Sequence, residues 1–146
     1  MIVKPIQAIE IGSLRQLFLD LDQDANFTPH SFGSAEADRL RNYVGRDLYR
    51  VVEAADANLV AYGMLRGWDE GFPVPSLGIA VRAAYRGRGI GRFLLEELHA
   101  LAKDAGALQV RLRVNPNNLP AISLYARFGY KAVGEERGQM VMLCDL

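Results

Sequence analysis

The chain has 146 residues, half of them hydrophobic and 23% charged, which fits one globular domain over residues 1–146. Seventeen basic residues offset seventeen acidic ones, so net charge gives no reason to expect nucleic acid or an anionic membrane as a partner. A lone cysteine, Cys144, excludes an intrachain disulfide and a thiolate cluster, and neither a secretory pattern nor a membrane-length apolar run occurs, so a cytoplasmic protein without a metal is expected.

Ile2 to Ile9, interrupted by Pro5, reads as an edge-type first strand. Ser13 is placed to cap a helix with Leu14, Leu17, Phe18 and Leu21 on one face. Asp22 to Gly33 carries Pro, Asn and Gly without a period, so it reads as a loop. Ser34 is a second N-cap, opening a helix with Ala37, Leu40, Tyr43 and Val44 inward. Leu48–Ala54 and Leu59–Arg66 form a predicted hairpin across a four-residue connection, Ala55 to Asn58.

After the turn-rich segment Gly67–Pro75, which with Asn26–Gly33 is an expected specificity element because loops tolerate variation, comes a strand, Ser76 to Val81. A long helix runs from about Gly89 to Ala105, with Ile90, Leu94, Leu98, Leu101, Ala102 and Ala105 as its buried stripe and Gly106 as its stop. Leu108 to Val114 alternates as a strand, with Gln109, Arg111 and Arg113 on the polar face. Asn118 caps a short helix that has Pro120 in its first turn and ends at Gly129. Tyr130–Val133 and Gln139–Leu143 close the chain as strands.

The chemistry concentrates between the fourth strand and the long helix, in AVRAAYRGRGIGRFLL, Ala80 to Leu95. Gly87, Gly89 and Gly91 alternate there with Arg86, Arg88, Ile90 and Arg92. The first N–H groups of a helix lack intrahelical partners, and the dipole makes that end positive. Glycines let an oxyanion approach the backbone, and arginines add charge-assisted hydrogen bonds, so the expected ligand end is a phosphate or pyrophosphate. A dinucleotide fingerprint fails because its last glycine position is Arg92, and the Gly-Lys-Ser/Thr of a Walker A loop is absent.

This turn resembles the R/Q-x-x-G-x-G/A signature of the GCN5-related N-acetyltransferase (GNAT) superfamily, with Arg86, Gly89 and Gly91 at the marked positions. Further along, NPNNLPAISLYARFGY resembles the family's second signature, N-x-x-A-x-x-L-Y-x-x-x-G-F/Y. Asn118, Ala121, Leu124, Tyr125, Gly129 and Tyr130 match it in register. The resemblance covers the C-terminal half closely and the N-terminal half in outline. It implies an α/β (α+β) fold with a mixed, mostly antiparallel sheet, about four helices and the order β-α-α-β-β-β-α-β-α-β-β.

It also implies acetyl-CoA as cosubstrate and acetyl transfer to a primary amine of a small molecule or peptide in a ternary complex. A homodimer is compatible with it. The glycine turn from Arg86 to Arg92 would bind the pyrophosphate. Backbone groups of Ile79, Ala80 and Val81 would hold the pantetheine arm, and Asn118 would contact the carrier, cap its helix, or do both. Tyr125 occupies the position of the family's general acid, although a core aromatic beside Leu124 and Phe128 is its structural alternative.

One position departs from a family subgroup. Where enzymes acting on ribosomal-protein N-termini carry a glutamate base, five residues before Asn118, this chain has Arg113, which cannot accept a proton near neutral pH. Arg113 either binds an anionic group of the acceptor or pairs with a carboxylate inside the domain. Glu53, Asp69, Glu70 and His30 are the other base candidates, with His30 in the expected acceptor loop. A non-catalytic acyl-CoA sensor on the same fold is the alternative function. His99 and Cys144 are assigned no role.

Overall fold

The computed structural model of the chain describes residues 1–23 and 34–146, with the side chain of Ser34 excepted. The expected loop from Asp22 to Gly33 therefore lies mostly outside the described residues, and His30 entirely so. Seven strands form one sheet in the order β1-β2-β3-β4-β5-β7-β6. They are β1 (Ile2–Pro5), β2 (Leu48–Glu53), β3 (Leu59–Arg66), β4 (Ser76–Val81), β5 (Gln109–Val114), β6 (Lys131–Glu136) and β7 (Gln139–Asp145). Every pairing is antiparallel except β4 with β5. Four α-helices accompany them among the described residues: α1 (Ile11–Asp22), α2 (Ser34–Arg41), α3 (Ile90–Asp104) and α4 (Leu119–Arg127). The element order is the one the resemblance implies. None of these helices is long and apolar enough to cross a membrane.

Each sheet face carries its own core. Leu14, Leu17, Phe18 and Leu21 of α1 pack with Tyr49, Val51, Tyr62 and Ala80, while Leu94, Leu95 and Leu98 of α3 pack with Val52, Leu65, Val110 and Leu112. The two stripes follow from apolar side chains recurring at helical spacing against alternate residues of the strands. α3 lies close to β3 because Gly63 has no side chain there: a Cβ would fall 2.9 Å from Leu98 Cδ1 and 3.0 Å from Leu94 Cδ2.

Local chemistry moves some expected boundaries. The first strand stops at Pro5, and Ile6–Ala8 turn as a short 3₁₀ helix that buries Ile6. Glu10, not Ser13, caps α1, its carboxylate accepting the Gly12 and Ser13 N–H groups at 2.8 and 2.9 Å. Those bonds hold its carboxyl below the usual carboxylate range, and a negative group also suits the positive end of the helix. α2 ends at Arg41, which leaves Val44 94% exposed rather than inward. β5 begins one residue late, so Leu108 is exposed as well.

Candidate active site

The site starts from a strand that is paired differently on its two edges. β4 pairs with β3 through six consecutive registers, from Arg66↔Ser76 to Ala61↔Val81. With β5 it pairs only at Ser76↔Arg111 and Leu77↔Leu112, and beyond Leu77 the two parallel strands splay. The Arg82 N–H donates to Val60 O at 2.9 Å. In an antiparallel ladder the backbone groups alternate between edges, so those of Gly78 and Ala80 face β3. The N–H and C=O groups of Ile79 and Val81 therefore face the wedge. No backbone hydrogen bond to β5 meets them there among the described residues. Ala80 thus differs from its two neighbours: its side chain is 2% exposed, within the α1–α2 core, and its backbone belongs to the closed edge.

At the open end of the wedge a 3₁₀ turn, Ala83–Tyr85, leads into the glycines. Gly87 has φ +76° and Gly89 φ +80°, left-handed values that side-chain-bearing residues rarely adopt, and a Cβ at either would point into open space. Gly89 is the N-cap of α3 and has no side-chain cap, so the N–H groups of the first turn stay available for a ligand. Gly91 sits where three elements meet: its Cβ would lie 3.6 Å from Leu124 Cδ2 and 3.9 Å from Val81 Cγ2.

The arginines around this turn divide by environment. Arg82 is tied to Asp20 of α1 and to Leu59 O. Arg86 Nε donates to Val81 O at 3.3 Å, on the wedge itself. The Arg88 guanidinium lies 5.3 Å from the Tyr85 ring centroid, and exposed Arg92 pairs with Glu96 at 3.2 Å one turn along α3. Two open backbone nests, a helix N-terminus and this cationic rim fit a pyrophosphate.

α4 brings the second motif to the same place. Asn118 Oδ1 caps the helix by accepting from Ala121 N–H at 3.4 Å, with Pro120 in the first turn. Tyr125 is 8% exposed, and burial pushes its phenol up to about 12. Its hydroxyl makes no hydrogen bond among the described residues. Every buried side-chain polar atom there has a partner, so this oxygen must reach the accessible surface. The phenol is therefore protonated at neutral pH and unengaged, which is what a proton donor requires.

The sequence reading missed what stands behind Tyr125. Tyr130 lies with its ring centroid 5.6 Å away, and its hydroxyl is 2.6 Å from His99 Nε2 on α3. Burial raises the Tyr130 phenol, so it keeps its proton. Burial, with Lys103 adding to it, lowers the His99 pKa and favours the neutral imidazole, whose tautomer sets which of the two partners donates. By sequence His99 falls on the polar side of α3, which gives no sign of the contact.

Other candidates fall elsewhere. Arg113 is exposed, on the face of β5 opposite Val114 and the α3 core, opposite Val141, without an ion pair among the described residues. Glu53 pairs with Lys4 across β1 and β2 at 3.0 Å. Asp69 accepts the Arg46 N–H at 2.8 Å, while buried Asp47 accepts the N–H groups of Gly67, Trp68 and Asp69. These bonds secure the Gly67–Pro75 segment at the closed end of the wedge, the far end of β4 from the glycine turn. That segment was expected to shape the acceptor pocket, and the topology does not bring it there.

The fold and the site together define an α/β protein with a strand wedge that ends on an uncapped helix N-terminus. The family model described as "Acetyltransferase (GNAT) family" matches residues 15–130. The chain belongs to this family. An uncharacterized protein of Mycobacterium leprae is 35% identical over 146 residues, covering 90% of this chain and 38% of that one. The N-alpha-acetyltransferase RimI of Mycobacterium tuberculosis is 35% identical over 124 residues, 84% of this chain and 70% of that protein. The crystal structure of the PaiA N-acetyltransferase of Thermoplasma acidophilum in complex with coenzyme A shares the fold, with a TM-score of 0.77, 19% identity and full coverage of both chains. The chain spans 38 to 50% of the length of the first curated relatives it matches.

Proposed function

We propose that the chain is an acetyl-CoA-dependent N-acetyltransferase acting on a primary amine of a small molecule or peptide, by direct transfer in a ternary complex. The observation that carries this is the wedge: two strands part beside unpaired N–H groups of Ile79 and Val81, in line with an uncapped helix N-terminus. The carrier's thioester supplies an activated acetyl group. The glycine turn and the flanking arginines bind its phosphates, and Ile79 and Val81 hold the arm and offer an N–H to the carbonyl oxygen. As the amine nitrogen bonds to the carbonyl carbon, the carbon–sulfur bond breaks, Tyr125 protonates the sulfur, the amine's proton leaves to solvent, and the Tyr125 phenolate takes a proton back from solvent. Asn118 Oδ1 caps α4, which leaves the amide NH2 of the same side chain to contact the carrier.

Arg113 stands where some relatives carry a glutamate base, so deprotonation of the amine from that position is not part of this reading. Its exposed, unpaired guanidinium supports a role in binding an anionic group of the acceptor. His30 is proposed on sequence alone as an acceptor-loop residue. Release of CoA from acetyl-CoA, measured across amino acids, polyamines, aminoglycosides, amino sugars and peptides, tests the assignment. Turnover with at least one class is expected. CoA binding without turnover on any of them would favour a sensor.

A further inference from the structure

Tyr125 has nothing at its tip to fix it; its place is set by what packs against its ring. That neighbour is Tyr130, tilted 59° at 5.6 Å. Tyr130 is in turn held by its hydroxyl on His99 Nε2 at 2.6 Å, and the His99 ring meets Phe128 edge-on at 5.9 Å. The backbone adds to the same knot: the N–H groups of Phe128 and Tyr130 both bond Tyr125 O, at 3.0 and 3.1 Å. His99 belongs to α3, the helix whose first turn forms the glycine site, and lies nine residues from Ile90, about 14 Å along the axis.

We infer that the His99–Tyr130 hydrogen bond is a positioning tie that sets Tyr125 of α4 against the carrier held by α3; this rests on the reading of Tyr125 as the acid. One helix carries the pyrophosphate site and the other the proton donor. A side-chain hydrogen bond between α3 and Tyr130, three residues past the end of α4, fixes the distance between the two functions. Neither His99 nor Tyr130 touches a reacting atom in this account. Their effect passes through the Tyr125 ring, and small misplacements of a reacting group are costly.

The test uses Tyr130→Phe, which keeps the ring and removes the tie, with His99→Leu and His99→Gln, the last keeping a hydrogen-bond partner for the Tyr130 hydroxyl. In single-turnover reactions with saturating acetyl-CoA and the fastest amine of the panel, Tyr130→Phe and His99→Leu should slow transfer about tenfold. Affinity for acetyl-CoA should stay within about twofold, and His99→Gln should recover most of the rate. Adding Tyr130→Phe to Tyr125→Phe should cost nothing more. Wild-type rates in both tie variants, or an equal loss in the Tyr125→Phe background, would overturn the inference. A Tyr125→Phe protein at full rate would instead overturn the acid reading, and the tie with it. An acceptor-free measurement stands beside these: with CoA bound, the Tyr125 ring resonances should shift and broaden in His99→Leu, and an unchanged spectrum counts against the tie.

Discussion

The two edges of β4 are built from the same six residues and do opposite things. Against β3 the strand is closed, with every register from Ser76 to Val81 matched, and Gly63 lets α3 press onto the pair. Against β5 it closes for two residues and then opens. Alternation of the ladder therefore divides the strand into residues whose backbone faces β3, Gly78 and Ala80, and residues whose backbone faces the wedge, Ile79 and Val81. An unpaired backbone donor is a cost in a sheet and an asset in a binding site. Specificity for a carrier common to many enzymes can rest on backbone, and so survive wide change in side chains.

The sharpest way to break that division is at the end of the open edge. Tyr125→Phe should leave acetyl-CoA binding intact and slow single-turnover transfer by about 10²–10⁴. Wild-type single turnover would return Tyr125 to the core. Next in size, Gly89→Asp puts a side chain and a negative charge at a left-handed position in the proposed phosphate site, and should weaken CoA binding about a hundredfold or more with normal circular dichroism. Calorimetry reads this, and undiminished affinity would remove the turn from the site. The closed edge should respond in the opposite currency. Gly63→Ala forces a methyl against Leu94 and Leu98 and should cost about 1–3 kcal/mol of stability by chemical denaturation, with CoA affinity little changed.

Smaller effects sharpen the acceptor side. Arg113→Ala should raise the acceptor's KM several-fold and leave that for acetyl-CoA unchanged; lost thermal stability with unaltered kinetics would mark a structural residue instead. His99 gives the pH test. Its folded pKa lies below the ordinary imidazole value of about 6.5, so the unfolded chain takes up the proton first. Stability is full above that value and falls as pH drops from it toward the folded pKa. His99→Gln should flatten this part of a Tm-against-pH profile relative to the parent, and identical profiles would show that His99 does not titrate differently on folding.

Much of the open edge was legible because its chemistry is local. Gly87, Gly89, Arg86 and the α3 stripe lie within twenty residues, and the spacing of Asn118, Tyr125 and Gly129 follows from one short helix. What was not legible depends on elements far apart in sequence. The splay needs β5 to leave β4 at Leu112, and no residue of either strand announces it. Glu10 displaced Ser13 as a cap because a longer carboxylate arm reaches two N–H groups from outside the helix. Tyr130 and His99 meet across thirty-one positions, so a half-buried histidine gave no hint of its partner. The Gly67–Pro75 segment looked like a specificity loop by composition, yet Asp47 and Asp69 bind it at the far end of the sheet.

Four consecutive amides, from Gly78 to Val81, distinguish the open edge of β4 from the closed one, and hydrogen exchange read by NMR examines them one at a time. In the free protein Gly78 and Ala80 should be protected by β3 while Ile79 and Val81 exchange fast, and saturating CoA should slow Ile79 and Val81 selectively. Equal protection of all four without CoA, or fast exchange of Ile79 and Val81 that CoA leaves unaltered, would contradict the account of the wedge as the carrier site.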